Sequence, residues 1–270
     1  MRGRRVALAL LAILLAAAGH TPAAAQQDEP RVSLSTSVNY FVGDYGTDKD
    51  TTFLYVPVTL GVRPIDRLWL HVTVPYLYQS NQNVVLTGGG AAPRKSGKGK
   101  FGRPGDDTTE QGLGDVLGKV SYMLLDEREL VPEIMPYVKI KFPTADSERG
   151  LGTGEFDESI GIELSKTLVG SLVGYLGVAY TFIGDPPGTD LHDSFAWSVG
   201  LAYGVIPSLS VFAFLEGATA VAPGEDDPLE IRAGLEYRVT KAVKLNGTVT
   251  RGLSNGSADW GLSAGVSFRF

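Results

Sequence analysis

The chain has 270 residues, a net charge of −6 and no cysteine, which excludes disulfides, thiol nucleophiles and thiolate metal sites. Its acidic balance argues against nucleic acid as a partner. The 34 glycines fit an all-β chain with many turns.

The first residues read as an address. Arg2, Arg4 and Arg5 precede an apolar run from Val6 to Ala18, and Ala23, Ala24 and Ala25 offer a small-residue cleavage site before Gln26. A run of about 13 residues is too short for a spanning helix, which needs roughly 20. Residues 1–25 are therefore expected to be a cleaved secretory signal peptide, and without cysteine it is not of the lipoprotein type. Its removal takes three of the 24 basic residues and no acid, so 21 face 30 acids and the net charge falls to −9. Residues 26–30 are a short polar periplasmic lead, and no long apolar run follows. If the mature chain lies in a membrane, helices are not what carries it across.

From Arg31 a period of two dominates, the mark of strands with one face in an apolar medium. Over 31–42, Val32, Leu34, Val38, Tyr40 and Val42 oppose Ser33, Ser35, Ser37 and Asn39. Over 52–63, Leu54, Val56, Val58, Leu60 and Val62 oppose Tyr55, Thr59 and Arg63, and over 67–79 an apolar set from Leu68 to Tyr78 opposes Trp69, His71, Thr73 and Gln79. The segment 80–111, rich in Gly, Lys and Asp and without period, reads as a long mobile extracellular loop. Alternation resumes at 113–125, 132–143 and 157–167. At 171–183 both faces are apolar and the phase stays open; at 193–205 it is clear, with Phe195, Trp197, Val199, Leu201, Tyr203 and Val205 on one face. The strand at 209–221 is again apolar on both faces, with Phe212, Phe214 and Glu216 on the expected inner one. The strands at 228–239 and 242–253 alternate strongly, and the last, 258–270, ends on Phe270 with no polar tail.

These make about twelve strands, an even number as in single-chain bacterial barrels. The connections 64–66, 126–131, 169–171, 206–208 and 240–242 are short, and the intervening ones are mostly longer and rich in Gly, Asp and Pro. Short turns on one rim and long loops on the other predict an antiparallel up-and-down transmembrane β-barrel over 31–270, with both termini periplasmic. A secreted sandwich is the alternative, but strands of about 11–13 residues exceed the soluble average of about 5–6. At roughly 3.3 Å per residue and about 40° tilt they rise about 28–33 Å, enough for the apolar band. Tyr40, Tyr76, Tyr78, Phe142, Phe182, Phe195 and Trp260 cluster toward the long-loop rim, and Tyr122, Tyr203, Tyr237, Phe268 and Phe270 toward the other. On this phasing only Arg251 sits in the apolar set.

Chemistry is then confined to lumen and loops. One charged inward arc holds Asp115, Lys119, Lys139, Lys141 and Glu163; the other holds Glu216, Glu230, Arg232, Glu236 and Arg238, with Lys244 and Arg269 nearby. Such residues either line a selective path or stiffen the wall as ion pairs. An enzyme would want a Ser–His arrangement, yet the mature chain has only His71 and His192, outside any catalytic motif, so a hydrolase is a remote alternative. No spacing supports a metal or cofactor. The TGGG at 87–90 and GLGTG at 150–154 lack a strand-to-helix context for phosphate and read as loop glycines. A structural or surface-interaction barrel is the other alternative, displaying the basic stretch 94–103 toward lipopolysaccharide phosphates. The partners expected are outer-membrane lipid and lipopolysaccharide, a small solute, and the barrel-insertion machinery, which would read the terminal aromatics Phe268 and Phe270.

GLGDVLGKVSYMLL at 112–125, MPYVKIKFPTAD at 135–146 and GLGTGEFDESIGIELSK at 150–166 resemble the outer-membrane channel family named for the meta-pathway of phenol degradation. The resemblance covers 112–270 well and the first three strands loosely. It implies a Gram-negative outer-membrane channel that passes small, hydrophobic or aromatic solutes without a cofactor. Asp115, Lys141, Pro143, Thr144 and Asp146 fall on its motif; Asp146 is expected to brace a loop and Asp115 to point into the lumen. Ala145 stands where the family has Gly, so a left-handed backbone is not required there.

Overall fold

The computed structural model describes residues 31–43, 50–80, 84–93 and 109–270. The expected signal peptide, the lead at 26–30 and the basic stretch 94–103 lie outside the described residues. The wall begins with β1 (Val32–Gly43), β2 (Thr51–Ile65) and β3 (Leu68–Gln79). After it come β4 (Val84–Thr87) and β5 (Gly90–Pro93), which pair only with each other. Next are β6 (Glu110–Leu113) and β7 (Val116–Tyr122), which both pair with β3 and share one place in the wall. Then follow β8 (Glu133–Phe142), β9 (Asp157–Val169), β10 (Leu172–Ile183), β11 (Ser194–Ile206), β12 (Leu209–Ala218), β13 (Leu229–Arg238), β14 (Val243–Gly252) and β15 (Trp260–Arg269).

Every wall strand is antiparallel to its chain neighbour, and β15 pairs back to β1, with Trp260 opposite Val42 and Phe268 opposite Leu34. Counting β6 and β7 as one, the result is a closed 12-strand antiparallel barrel, a form consistent with the outer membrane. Among the described residues no helix is long and apolar enough to cross a membrane; strands do the crossing.

The sequence alternation maps onto the two faces of this wall. On β1, Val38 and Tyr40 are exposed while the alternating Asn39 and Phe41 are buried. The phase of β10 is now fixed: Leu176, Val178, Tyr180 and Phe182 are exposed, and Val173, Thr181 and Ile183 are buried. On β12 the buried Glu216 places Phe212 and Phe214 on the inner side, as expected. The exposed aromatics form two belts, Tyr40, Tyr76, Phe142, Phe182, Phe195 and Trp260 at the long-loop ends and Tyr122, Tyr203, Tyr237 and Phe268 at the short-turn ends.

Three readings need correction. Arg251 is not the lone charge among the outward positions, because Glu158 and Lys166 on β9 share the phase of Ile160 and Ile162. Both lie near strand ends, where a charge on the lipid side costs only about 0–1 kcal/mol. Lys166 donates to Glu127 Oε1 (3.0 Å) in the turn 123–132. Burial acts against the Glu127 carboxylate, but hydrogen bonds from Lys166 and Thr167 outweigh it and hold the carboxyl below its usual range. The strand expected at 113–125 is broken at Gly114 and Asp115, and its wall portion ends at Tyr122. Finally, 80–111 is not all loop: it contains the β4–β5 hairpin, with Val84 and Val85 buried, and its end from Glu110 joins the wall.

Val199 stands midway along β11 on the outer face, 45% exposed. Val199→Arg is expected to destabilise the folded barrel by about 2–4 kcal/mol, against about 0–1 kcal/mol for changes at the rim residue Arg251. Urea unfolding in lipid vesicles measures both.

Candidate functional site

The inner wall is lined by side chains that the period of two turns away from lipid, and near the long-loop rim they converge on Lys141. Its ammonium lies 3.0 Å from Asp115 Oδ2 and 3.2 Å from Asp157 Oδ2, and donates to Thr153 Oγ1 (2.8 Å) and the Glu155 carbonyl (2.8 Å). The two carboxylates also collect backbone donors: Ala145 N–H to Asp115 Oδ1 (2.9 Å) and Gly184 N–H to Asp157 Oδ1 (2.9 Å). One buried cation held between two acids, each with an amide donor, ties the β6–β7 break, β8, β9 and two loops together.

The hairpin tip enters this cluster. Gly88 N–H donates to Asp157 Oδ2 (2.6 Å), and Lys139 Nζ donates to the Gly88 carbonyl (3.0 Å). Opposite charges of the wall thus read the two ends of the residue's backbone. A side chain at 88 would put its Cβ 2.7 Å from that of Asp157, and one at 89 would sit 2.8 Å from Ser194 Cβ. The glycines of the TGGG stretch are therefore needed for close approach to the wall, not merely for a turn. Apolar contacts flank the tip. Leu86 packs on Tyr55, Leu77 and Leu151, and Val85 clusters with Ile183, Leu191, Val221 and Ala222.

Farther from that rim, Lys119 Nζ lies 2.6 Å from Glu163 Oε1 and 4.1 Å from the centre of the Tyr137 ring. The second arc centres on Arg232, whose guanidinium grips Glu216 through two bonds, Nε–Oε2 at 2.9 Å and Nη2–Oε1 at 2.6 Å. It also lies over Phe214 at 5.2 Å and Phe212 at 5.9 Å. Glu230 faces Glu216 in the β12–β13 register, and Lys244 pairs with Glu236 toward the short-turn rim. Arg238 and Arg269 lie at the strand ends, Arg238 exposed. Inward glycines recur beside the rings: Tyr137 lies over Gly161, Phe214 over Gly200 and Phe212 over Gly234, so these aromatics rest on the wall of the neighbouring strand.

The motif positions meet at one loop. Thr144, next to Pro143, accepts Val116 N–H at 2.9 Å, and Asp146 accepts Arg149 N–H at 3.1 Å. The left-handed residues of that loop are Gly150 and Gly154, not Ala145. Asp157 was missed in the sequence although it shares the inward phase of Ser159 and Glu163; its partners lie in loops far along the chain. Among the described residues no group of three or more His, Asp or Glu could hold a metal ion. His71 lies inward on β3, whereas His192 is in the loop before β11.

Residues 23–270 match the model of the family described as the MetA-pathway of phenol degradation. The chain belongs to this family. No curated protein matches it in sequence. An outer-membrane channel from Pseudomonas putida F1 has the same fold, with TM-score 0.69 and 14% identity over 93% of this chain and 100% of that one. The NanC porin is similar at TM-score 0.57 and 12% identity, over 88% of this chain and 100% of its own. The translocator domain of the autotransporter NalP from Neisseria meningitidis reaches TM-score 0.51 at 12% identity, over 91% and 90%. At such identities the likeness is one of fold alone.

Lys141 is the cation on which two buried acids depend. Lys141→Met should lower the stability of the barrel by about 3–5 kcal/mol, because it leaves both carboxylates without their counter-charge. The same urea titration in vesicles reads the loss, and a change below about 1 kcal/mol would show that water already solvates the cluster.

Proposed function

We propose that this member of the family is an outer-membrane channel through which small solutes pass passively. The observation that carries this reading is a closed wall with an apolar outer face and an inner face bearing Lys119, Glu163, Glu216, Arg232, Glu236 and Lys244. Ionic groups distributed over the inner side keep the lumen polar and wetted, as a solute path requires. The family's link to phenol degradation, and the rings of Tyr137, Phe212 and Phe214 beside Lys119 and Arg232, support hydrophobic or aromatic solutes of small size.

Phe270 and Val32 exchange backbone bonds, Phe270 N–H to Val32 O at 2.9 Å and Val32 N–H to Phe270 O at 3.3 Å. The described ends thus lie together on the short-turn rim, which supports a periplasmic position for both termini. Residues 1–25 act as a cleaved signal, the terminal aromatics Phe268 and Phe270 present the chain to the insertion machinery, and lipid and lipopolysaccharide surround the wall. Pro143, Thr144 and Asp146 shape the loop that carries the Lys141 cluster. The charged set, with Asp115, Lys139, Glu230, Arg238 and Arg269, is divided between wall bracing and solute path.

In planar bilayers the mature protein should give discrete conductance steps, and proteoliposomes should swell in small solutes. Silence in both assays would end the channel reading. Replacing Arg232 and Arg238 together by Gln leaves Glu216 and Glu230 in excess, so the reversal potential in a salt gradient should move toward cation preference; an unmoved potential would return this arc to wall bracing. A polar tail appended after Phe270 should reduce the heat-modifiable, folded fraction in outer-membrane preparations several-fold, and normal insertion would exclude the terminal aromatic as a signal.

A further inference from the structure

We propose that the β4–β5 hairpin is the gate of this channel, latched shut by the wall residues Lys139 and Asp157; the proposal rests on the channel reading above. Around the ring, β2 and β3 are separated from β10 and β11 by three wall places on one side and by β12 to β15 and β1 on the other. The hairpin reaches both regions: Leu86 packs against the cluster of Tyr55, Leu77 and Leu151, Val85 belongs to the cluster of Ile183, Leu191, Val221 and Ala222, and Gly89 approaches Ser194. With Gly88 bonded to Lys139 on β8 and Asp157 on β9, it lies inside the barrel over the sector of wall between β3 and β10, where it narrows the lumen.

Two features make it a movable part and not a fixed plug. It forms its own two-stranded sheet and contributes no strand to the wall, whose ring closes without it. An isolated two-stranded hairpin is marginal in water, so its position depends on its seat. Among the described residues, that seat includes the apolar contacts of Val84, Val85 and Leu86, the close approach of Gly89 to Ser194, and two charge-assisted bonds to a single residue, Gly88 N–H to Asp157 and Lys139 to Gly88 O. Only a residue without a side chain reaches both partners, which gives the TGGG stretch its role. The first charged arc is then divided in function. Lys139 and Asp157 hold the gate, Lys141 and Asp115 hold Asp157 in place, and Lys119 with Glu163 stays on the path.

The test compares the mature wild-type protein with Lys139→Met, with Gly88→Ala, and with a variant in which residues 84–93 are replaced by a Gly–Ser linker. Folding of each is established first by heat-modifiable migration. Single-channel recording and liposome swelling over a series of neutral solutes of increasing size are the readouts. Loss of one charge-assisted bond should shift the closed-to-open equilibrium about tenfold toward open. The linker variant should be open throughout, with a larger unit conductance and a larger size limit. Unchanged conductance, open time and size limit in Lys139→Met and the linker variant, beside a conducting wild type, would overturn the gate and leave the channel intact. If neither wild type nor linker variant conducts, the channel reading itself fails. Should the linker variant not fold, the two point variants decide, since neither touches the strand pairing of the ring.

Discussion

The structure depends on one requirement, that no backbone N–H or C=O face lipid unpaired. An open sheet leaves two rows of such groups, each worth several kcal/mol in hydrocarbon, so the first strand has to meet the last. Here β1 and β15 do so along ten residue pairs, from Ser33 with Arg269 to Val42 with Trp260. Closure fixes an even number of antiparallel wall strands, brings the described ends together, and assigns every second side chain to the lipid. It also leaves the lumen as the place where polar groups can gather at depth. The charged residues of this chain stand where they do because the outer face, away from its rims, will not take them.

Closure creates the next problem, since a 12-strand lumen is too narrow to treat as bulk water and too wide to be filled by wall side chains alone. Charges in such a space are stable when paired. Lys119 with Glu163, Arg232 with Glu216, Lys244 with Glu236, and Lys141 between Asp115 and Asp157 all follow that rule. Geometry separates these pairs by purpose. The bidentate Arg232–Glu216 pair spans adjacent strands and needs nothing from the loops. The Lys141 cluster reaches Thr153, Glu155, Ala145 and Gly184, and its acid Asp157 extends to the hairpin. It translates wall geometry into loop geometry.

That distinction explains which parts of the molecule were legible in the sequence. Long wall strands announce themselves because burial on one face and lipid on the other repeat over ten or more residues, and β1, β11 and β13 read correctly from alternation alone. On β10 the inner face carries Val173 and Ile183 beside Thr181, so polarity could not tell in from out and the fold had to. Glu158 and Lys166 escaped the two-face rule because strand ends reach the headgroups. The hairpin was illegible for a different reason. Four residues of Val84–Thr87 carry too short a period, and the partners of Gly88 stand 51 and 69 residues away. A glycine that exists to let two distant side chains touch its backbone leaves no local trace.

The barrel itself does not select a cargo. A translocator domain and a porin share it with this chain at 12% identity each, so the wall is common property and the difference lies in what fills it. In this chain the filling is of two kinds. Aromatic rings laid over inward glycines keep apolar surface against the wall, where it narrows the lumen least, while the hairpin stands inside the barrel against β8 and β9 and occupies the ammonium of Lys139 and one oxygen of Asp157. Moving the hairpin out would break two charge-assisted bonds but return Lys139 and Asp157 to water, whose solvation of both charges offsets much of the loss. In the proposed gate, the polar part of the seat is one cation, one anion and one side-chain-free peptide, and water can replace each of these partners when the hairpin moves. The apolar contacts of Val84, Val85 and Leu86 then set how readily the mouth clears.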